Sequence, residues 1–282
     1  MTVPSSSRSM ELVAPLRDLA AWTARLQQAP IPVLRDTADS LEALRLNEDS
    51  TDANSIGEMI SSDPLMTLKV LAYESGHRSR RVVTSAETVT SALVMMGIPP
   101  FFRAFGPQPT VEDWLEHQPE ALAGLQGVLQ RAYRGADFAL AFAIRRTDPD
   151  AAVIHAATLL HEFAEMLIWC HAPALSLRIQ QAQMADPDLR SHTAQREVLN
   201  VELADLQRTL TLAWRLPALI ADVAAESQPA SHTSARIVAL AARLARHTTH
   251  GWDNAAVPDD VGEISQLLNL SPAATFEFLT SI

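Results

Sequence analysis

The chain has one cysteine, two tyrosines and only 5% aromatic residues among 282 positions. Each scarcity excludes something. A single cysteine, Cys170, excludes an internal disulfide and suits a reducing compartment, so a cytoplasmic location is expected. Alternating β-branched residues are almost missing. Val82-Val83-Thr84 is the nearest approach, and it is too short for a sheet, so the chain is expected to be all-α. No apolar run is seen to reach the ~18 residues of a membrane span. The N-terminal stretch MTVPSSSRSMELVAP has no apolar segment of signal-peptide length, so no membrane association is expected. Basic surface is scarce as well: the formal net charge is −11. A sequence-independent hold on nucleic acid needs cations that displace counterions, so no nucleic-acid partner is expected. The clusters Arg78, Arg80, Arg81 and Arg145, Arg146 are taken as solvated surface, the second with Asp148 and Asp150 beside it. There is no GxGxxG, P-loop or GxSxG signature.

What is present is leucine, alanine and helix punctuation. A first amphipathic helix is predicted from about Met10 to Gln28, with Leu12, Leu16, Leu19, Trp22 and Leu26 as its stripe. Ala29-Pro30-Ile31-Pro32 ends it. Further helices are predicted over Val33 to Leu46 and Ala53 to Ser62. Another starts at Asp63-Pro64 and stops at Gly76, with Asp as cap and Pro in the first turn. The next is capped by Thr84 or Ser85 and ends at Gly97. Pro99-Pro100 and Gly106-Pro107-Gln108-Pro109 are read as breaks, with a lobe boundary near residue 108. Beyond it, helices are predicted from Val111 to Arg146 with an interruption at Pro119, from Pro173 to the Asp186-Pro187-Asp188 turn, and from His192 to Thr209. Five more are predicted: Leu210 to Leu216, Pro217 to Glu226, Ala235 to His247, Asp260 to Leu268 and Pro272 to Leu279. The expected organisation is a lead and helix over 1–29, an N-terminal lobe over 30–108, a second lobe over 109–230, and a C-terminal helical extension over 231–282. That extension packs either on the second lobe or against a second copy.

The stretch Ala151 to Trp169, AAVIHAATLLHEFAEMLIW, contains no Gly or Pro, and its apolar residues recur at three- and four-residue spacing. One helix with a broad buried face is expected. It carries His161 and Glu162 side by side, with His155 about two turns earlier. A buried carboxylate is costly unless it is paired, so the two residues mark a polar pocket or the edge of the buried stripe. An imidazole and a carboxylate so placed can be metal ligands, provided that other helices add more. They can also be a core histidine and its neighbour. Cys170 and His171 are adjacent on a helix and so point about 100° apart, which makes Cys170 a core residue rather than half of a nucleophile–base pair. His247 and His250 are read as capping a helix end. His77, His192 and His232 are read as solvated.

Several segments, in order, resemble one family. ATLLHEFAEM at Ala157 to Met166 is similar to the AGLLHDIG segment of the HD superfamily. Ile31-Pro32-Val33-Leu34 resembles the IPxLP opening of HDOD domains, the HD-related output domains. Ser62 to Leu71 resembles their DPxLTxxLL helix, Thr84 to Gly97 their SVxxAIxxLG segment, and Trp214-Arg215-Leu216-Pro217 their WxLP. The resemblance spans roughly residues 30 to 226. It implies a two-lobed helical fold and a signalling or regulatory module that has lost the phosphodiesterase site of its superfamily.

The residues agree with that loss. The helix that carries an isolated metal-binding His in an HD enzyme reads Leu129-Gln130-Arg131-Ala132-Tyr133-Arg134-Gly135-Ala136-Asp137 here. Arg131 or Arg134 stands where the ligand would be, and a cation repels a metal. Glu162 replaces the usual Asp, Ala164 replaces the glycine that follows the pair, and Ala225-Glu226-Ser227 stands in place of a later His pair. Too few ligands remain for the three or four that a metal site needs. No catalytic residue, cofactor or metal is therefore expected. The degenerate pocket is expected to comprise Arg131 or Arg134 with His161 and Glu162, the arginine pairing with Glu162. The first expectation is a non-catalytic module that acts through a signalling protein partner or a nucleotide-type ligand, with a homodimer among the arrangements it allows. The alternatives are a residual metal-dependent phosphohydrolase acting on a nucleotide or cyclic dinucleotide, and a helical scaffold with no ligand. No receiver, GGDEF or EAL sequence is recognisable in the chain.

Overall fold

The computed structural model describes residues 11–77, 86–224 and 233–282. Within them the backbone is helical, and the sole β-type pairing is an isolated parallel bridge between Val33 and Thr110. In chain order the helices are α1 (Leu19–Gln28), α2 (Arg35–Arg45), α3 (Ala53–Ile60), α4 (Pro64–His77), α5 (Val89–Met96), α6 (Ile98–Ala104), α7 (Val111–Trp114), α8 (Pro119–Arg145), α9 (Ala151–Leu159), α10 (Phe163–His171), α11 (Pro173–Ala185), α12 (Ser191–Leu199), α13 (Leu203–Trp214), α14 (Ala218–Ala224), α15 (Thr233–His247), α16 (Val257–Leu268) and α17 (Pro272–Thr280). The clusters at Arg78, Arg80 and Arg81, the Thr84/Ser85 cap, Ala225-Glu226-Ser227 and His232 lie outside the described residues.

The first lobe, α2 to α6, is closed at its base by its own ends. Val33 N–H donates to the Pro109 carbonyl at 3.0 Å, and Val111 N–H donates to the Val33 carbonyl at 2.8 Å. The buried Asp63 caps α4. Its Oδ1 accepts from the Leu65 and Met66 amides at 2.8 and 3.0 Å, and its Oδ2 accepts from Leu34 N–H at 2.8 Å. Lys69, nearly two turns further on, donates to the Ile31 carbonyl at 2.8 Å and to the Gln108 side chain. Burial drives its ammonium down to about 8, against the pull of Asp63. One helix thus ties residues 31–34 to residue 108.

The second lobe is built on α8, which packs against α9, α10, α11 and α15. Its inward residues, among them Ala121, Leu125, Val128, Ala132, Ala136, Ala139 and Ala143, are mostly small, so neighbouring helices approach closely. At Gly124 a Cβ would collide with the Trp169 ring of α10. The C-terminal segment packs within the same chain: α15 lies along α8 and α9 and buries Ile237, Val238, Leu240, Ala241, Leu244 and Ala245.

Several expected elements differ. The first helix begins at Leu19, not Met10. Pro15 cannot sit inside a helix, and Asp18 supplies the cap by accepting from Ala21 N–H at 2.8 Å. Residues 11–18 instead run across the second lobe, where Leu12 N–H donates to the His171 carbonyl at 2.8 Å and Asn200 Nδ2 donates to the Leu16 carbonyl at 3.0 Å. α4 continues through Gly76 to His77. Thr88 caps α5, in a reciprocal box with Ser91. Pro99-Pro100 does not break the chain but opens α6, because proline suits a helix's first turn. The helix predicted from His192 is interrupted by Asn200, whose φ of 66° is left-handed, a conformation that Asn tolerates better than most residues.

The largest correction concerns the stretch Ala151 to Trp169. It is two helices, α9 and α10, separated by a turn at Leu160, His161 and Glu162. Contrary to expectation, residues Ala151–His171 are also long and apolar enough by composition to cross a membrane; 61% of that window is buried inside the protein, as in a core segment.

Candidate functional site

The break between α9 and α10 is held from α13. Gln207 is 8% exposed. Its Nε2 donates to the Leu160 carbonyl at 2.9 Å, and its Oε1 accepts from Ala164 N–H at 2.8 Å. One amide thus satisfies a carbonyl at the end of α9 and an amide at the start of α10, groups that a helix terminus leaves without an intrahelical partner. Replacing Gln207 with Leu is expected to cost about 2–4 kcal/mol, because two buried backbone groups lose their partners. Urea denaturation measures this; a loss below ~1 kcal/mol would show that the turn holds without the amide.

The turn points Glu162 toward α8 and α15. Arg131 Nε donates to Glu162 Oε2 at 2.8 Å, and Arg131 Nη2 donates to Glu165 Oε2, on the first turn of α10, at 2.9 Å. Arg246, near the end of α15, donates to Glu162 Oε1 at 3.2 Å. Arg131 is therefore shared by two carboxylates, and Glu162 by two guanidiniums. The Arg131 and Glu162 side chains are 18% and 17% exposed. Burial pushes the Glu162 carboxyl up, and Arg131, Arg246 and His161 together outweigh it, holding it below the ordinary carboxylate range. Burial pushes Glu165 up as well. There Arg131 opposes it, the like charge of Glu162 adds to it, and the net effect is a raised carboxyl.

Of the expected pocket residues, Arg131, His161 and Glu162 come together around a cavity of about 10 Å³ that Ala132, Gly135, Thr158 and Ala242 also line. That is at most the room of a single water. Arg134 is not among them. Its guanidinium lies 5.4 Å from the ring centres of both Phe138 and Trp252. A cation is attracted to an aromatic face, and Phe138 is one helical turn along. Glu165 and Arg246 belong to the cluster and were not expected in it. Glu165 was legible, since three residues from Glu162 on a helix is the same face; Arg246, 84 residues away, was not.

The other candidates lie elsewhere. His155, on α9, is held below its ordinary value by burial, with Asp137 opposing. Cys170 is buried, with its thiol pushed up by burial. His171 is buried edge-on to Trp114, with ring centres 5.2 Å apart. His247 does not cap a helix. Its Nδ1 lies 2.6 Å from Oδ2 of the buried Asp260, which also accepts from Arg243 Nε at 2.7 Å. His77 stacks on Tyr73, and His192 is exposed.

The HD superfamily implies a metal here, and the residues do not fit one. Among the described residues no group of three His, Cys, Asp or Glu could hold an ion. The carboxylate that would bind it is committed to two cations.

An all-helical, two-lobed fold with a histidine–carboxylate turn packed on a long central helix defines an HD-like domain. The chain belongs to the HDOD family: the HDOD domain model matches residues 31–229. Among solved structures, the chain is similar to the MmoQ response regulator of Methylococcus capsulatus str. Bath, with 15% identity and a TM-score of 0.63 over 90% of this chain and 99% of that one. It is also similar to a virulence factor of Campylobacter jejuni subsp. jejuni, with 16% identity and a TM-score of 0.58 over 91% and 92% of the two chains. At such identities the likeness is one of fold. No curated protein matches the chain.

Proposed function

We propose that this protein is a non-catalytic regulatory module, working through a protein partner or a small bound ligand, in which a guanidinium has taken the structural place of a metal ion. The observation that carries this reading is Arg131, inserted between Glu162 and Glu165 over a cavity with no room for an ion and its substrate. A metal site bridges helices by drawing anionic ligands to one cation. Arg131 and Arg246 bridge α8, α15 and the α9–α10 turn by the same electrostatics, with fixed fork geometry in place of coordination. A guanidinium stays protonated at any working pH and offers no Lewis-acidic site, so it can hold helices together but cannot activate water.

The test is metal content and hydrolysis of a generic phosphodiester by purified protein in added manganese. The expected result is metal well below one ion per chain and no turnover above a protein-free blank. Stoichiometric metal retained together with turnover would overthrow the reading in favour of a residual phosphohydrolase.

A further inference from the structure

The chain has 22 lysines and arginines, and Lys69 is the single lysine among them. It lies on α4 of the first lobe, half-buried, outside the Arg131 cluster. Among the described residues its amine has two acceptors, the Ile31 carbonyl at 2.8 Å and Gln108 Oε1. Gln108 Nε2 donates to the Gly106 carbonyl at 2.6 Å, which turns Oε1 toward the amine. Pro107 and Pro109, on either side of Gln108, are exposed, so the amine ends under a surface segment. Two acceptors match the two N–H bonds of a neutral amine, whereas an ammonium carries a third. With both N–H bonds donated, the lone pair points away from Ile31 and Gln108. Burial, opposed by Asp63, brings the ammonium down to about 8, so part of the population is neutral at ordinary pH. The arginines do not compete as nucleophiles, because a guanidinium stays protonated.

We propose that Lys69 is a modification site: its neutral amine takes an acyl group from a small acyl phosphate, and the acylated side chain loosens the base of the first lobe. The Nζ lone pair attacks the carbonyl carbon and an N–C bond forms. The C–O bond to phosphate breaks, phosphate leaves with that electron pair, and one Nζ proton passes to water. The product amide keeps a single N–H, so Ile31 and Gln108 can no longer both be satisfied. Those two contacts tie residue 31 to residue 108, beside the backbone pairing of Val33 with Pro109 and Val111. The amide is also uncharged, as acylation of a lysine removes its charge. An acyl group therefore suits the site better than carbon dioxide, whose carbamate would set a second anion near the buried Asp63.

Treating the full chain with acetyl phosphate near neutral pH tests this, with peptide mapping to separate Lys69 from the N-terminal amine. Lys69 is expected to acylate at least about tenfold faster in the folded protein than in the guanidinium-unfolded chain, because a lowered pKa raises the share of nucleophile. Its rate is expected to level off above about pH 8 in the folded protein, while the unfolded chain's rate climbs on toward the ordinary 10.5. In the acylated protein, amide exchange at Val33 and Val111 is expected to quicken at least about tenfold, with that of α8 unchanged. A Lys69 that reacts no faster folded than unfolded would overturn the proposal. So would an acylated protein whose Val33 and Val111 amides exchange as in the unmodified chain.

Discussion

Arg131→Met is expected to destabilise the protein by about 3 kcal/mol, within the range for removing one partner of a largely buried ion pair. For a chain of this size that is a fall in melting temperature of about 5 °C. The variant keeps most of the apolar stem that packs along α8 and removes only the charge. Glu162 and Glu165 then face each other in a site largely closed to water, with Arg246 reaching Glu162 alone. One carboxylate must take up a proton, so the cost of the substitution is largest at neutral pH and shrinks in acid as both carboxylates become neutral. Adding Glu165→Gln to the variant relieves the repulsion and is expected to recover part of the loss. Calorimetry at neutral and acid pH checks the series; a loss below ~1 kcal/mol at neutral pH, of the size of a surface pair, would show that the network does not hold the helices.

His171 is expected to make the protein acid-sensitive by about 3 kcal/mol. Burial, reinforced by the nearby Arg25 and opposed by the Pro30 backbone, moves its imidazole from the ordinary 6.5 down to about 4. Between those values the unfolded chain binds a proton that the folded chain refuses. Stability is therefore full above about pH 6.5, falls as the pH drops through that window, and reaches its lowest contribution below about pH 4. Asp63 and Glu165, whose carboxyls are raised in the fold, act in the opposite direction over part of the same range, so the effect is best isolated as a difference between two proteins. The stability of His171→Leu relative to wild type is expected to improve by about 3 kcal/mol on going from neutral pH to about pH 4. Parallel profiles would contradict it. The strap residue Leu12 donates to the His171 carbonyl, so the N-terminal strap is expected to loosen first, with its amide protection lost before that of α8.

The helical class was legible because the punctuation is local. Asp63-Pro64, Pro173 and Gly97 each dictate a helix boundary through their own backbone chemistry, and each does so here. Pro15 and Asn200 carried equally local signals that periodicity overrode. The α9–α10 break was not legible. Nothing between Ala151 and Trp169 disfavours a helix, and the turn exists because Gln207, 47 residues from Leu160, satisfies the backbone groups it exposes. The choice between Arg131 and Arg134 depended on how α8 is rotated, which its neighbours decide: Trp252 and Phe138 hold Arg134 away from Glu162. The pairing of an α8 arginine with Glu162 was expected only through the family resemblance, which sets Arg131 or Arg134 where a metal-binding His would stand; the chemistry adds that a buried carboxylate without a metal needs another cation. That Arg246 of α15 completes the pair is a matter of tertiary packing.

The central claim is that Arg131 and Glu162 interact as a unit in the place of a metal bridge, and a double-mutant cycle measures that interaction. The variants are Arg131→Met, Glu162→Gln and the pair together, with unfolding free energies measured in manganese-free and manganese-supplemented buffer. The account predicts a coupling of about 1–3 kcal/mol that is the same in both buffers. A coupling near zero, or a wild type that manganese stabilises through Glu162, would contradict it.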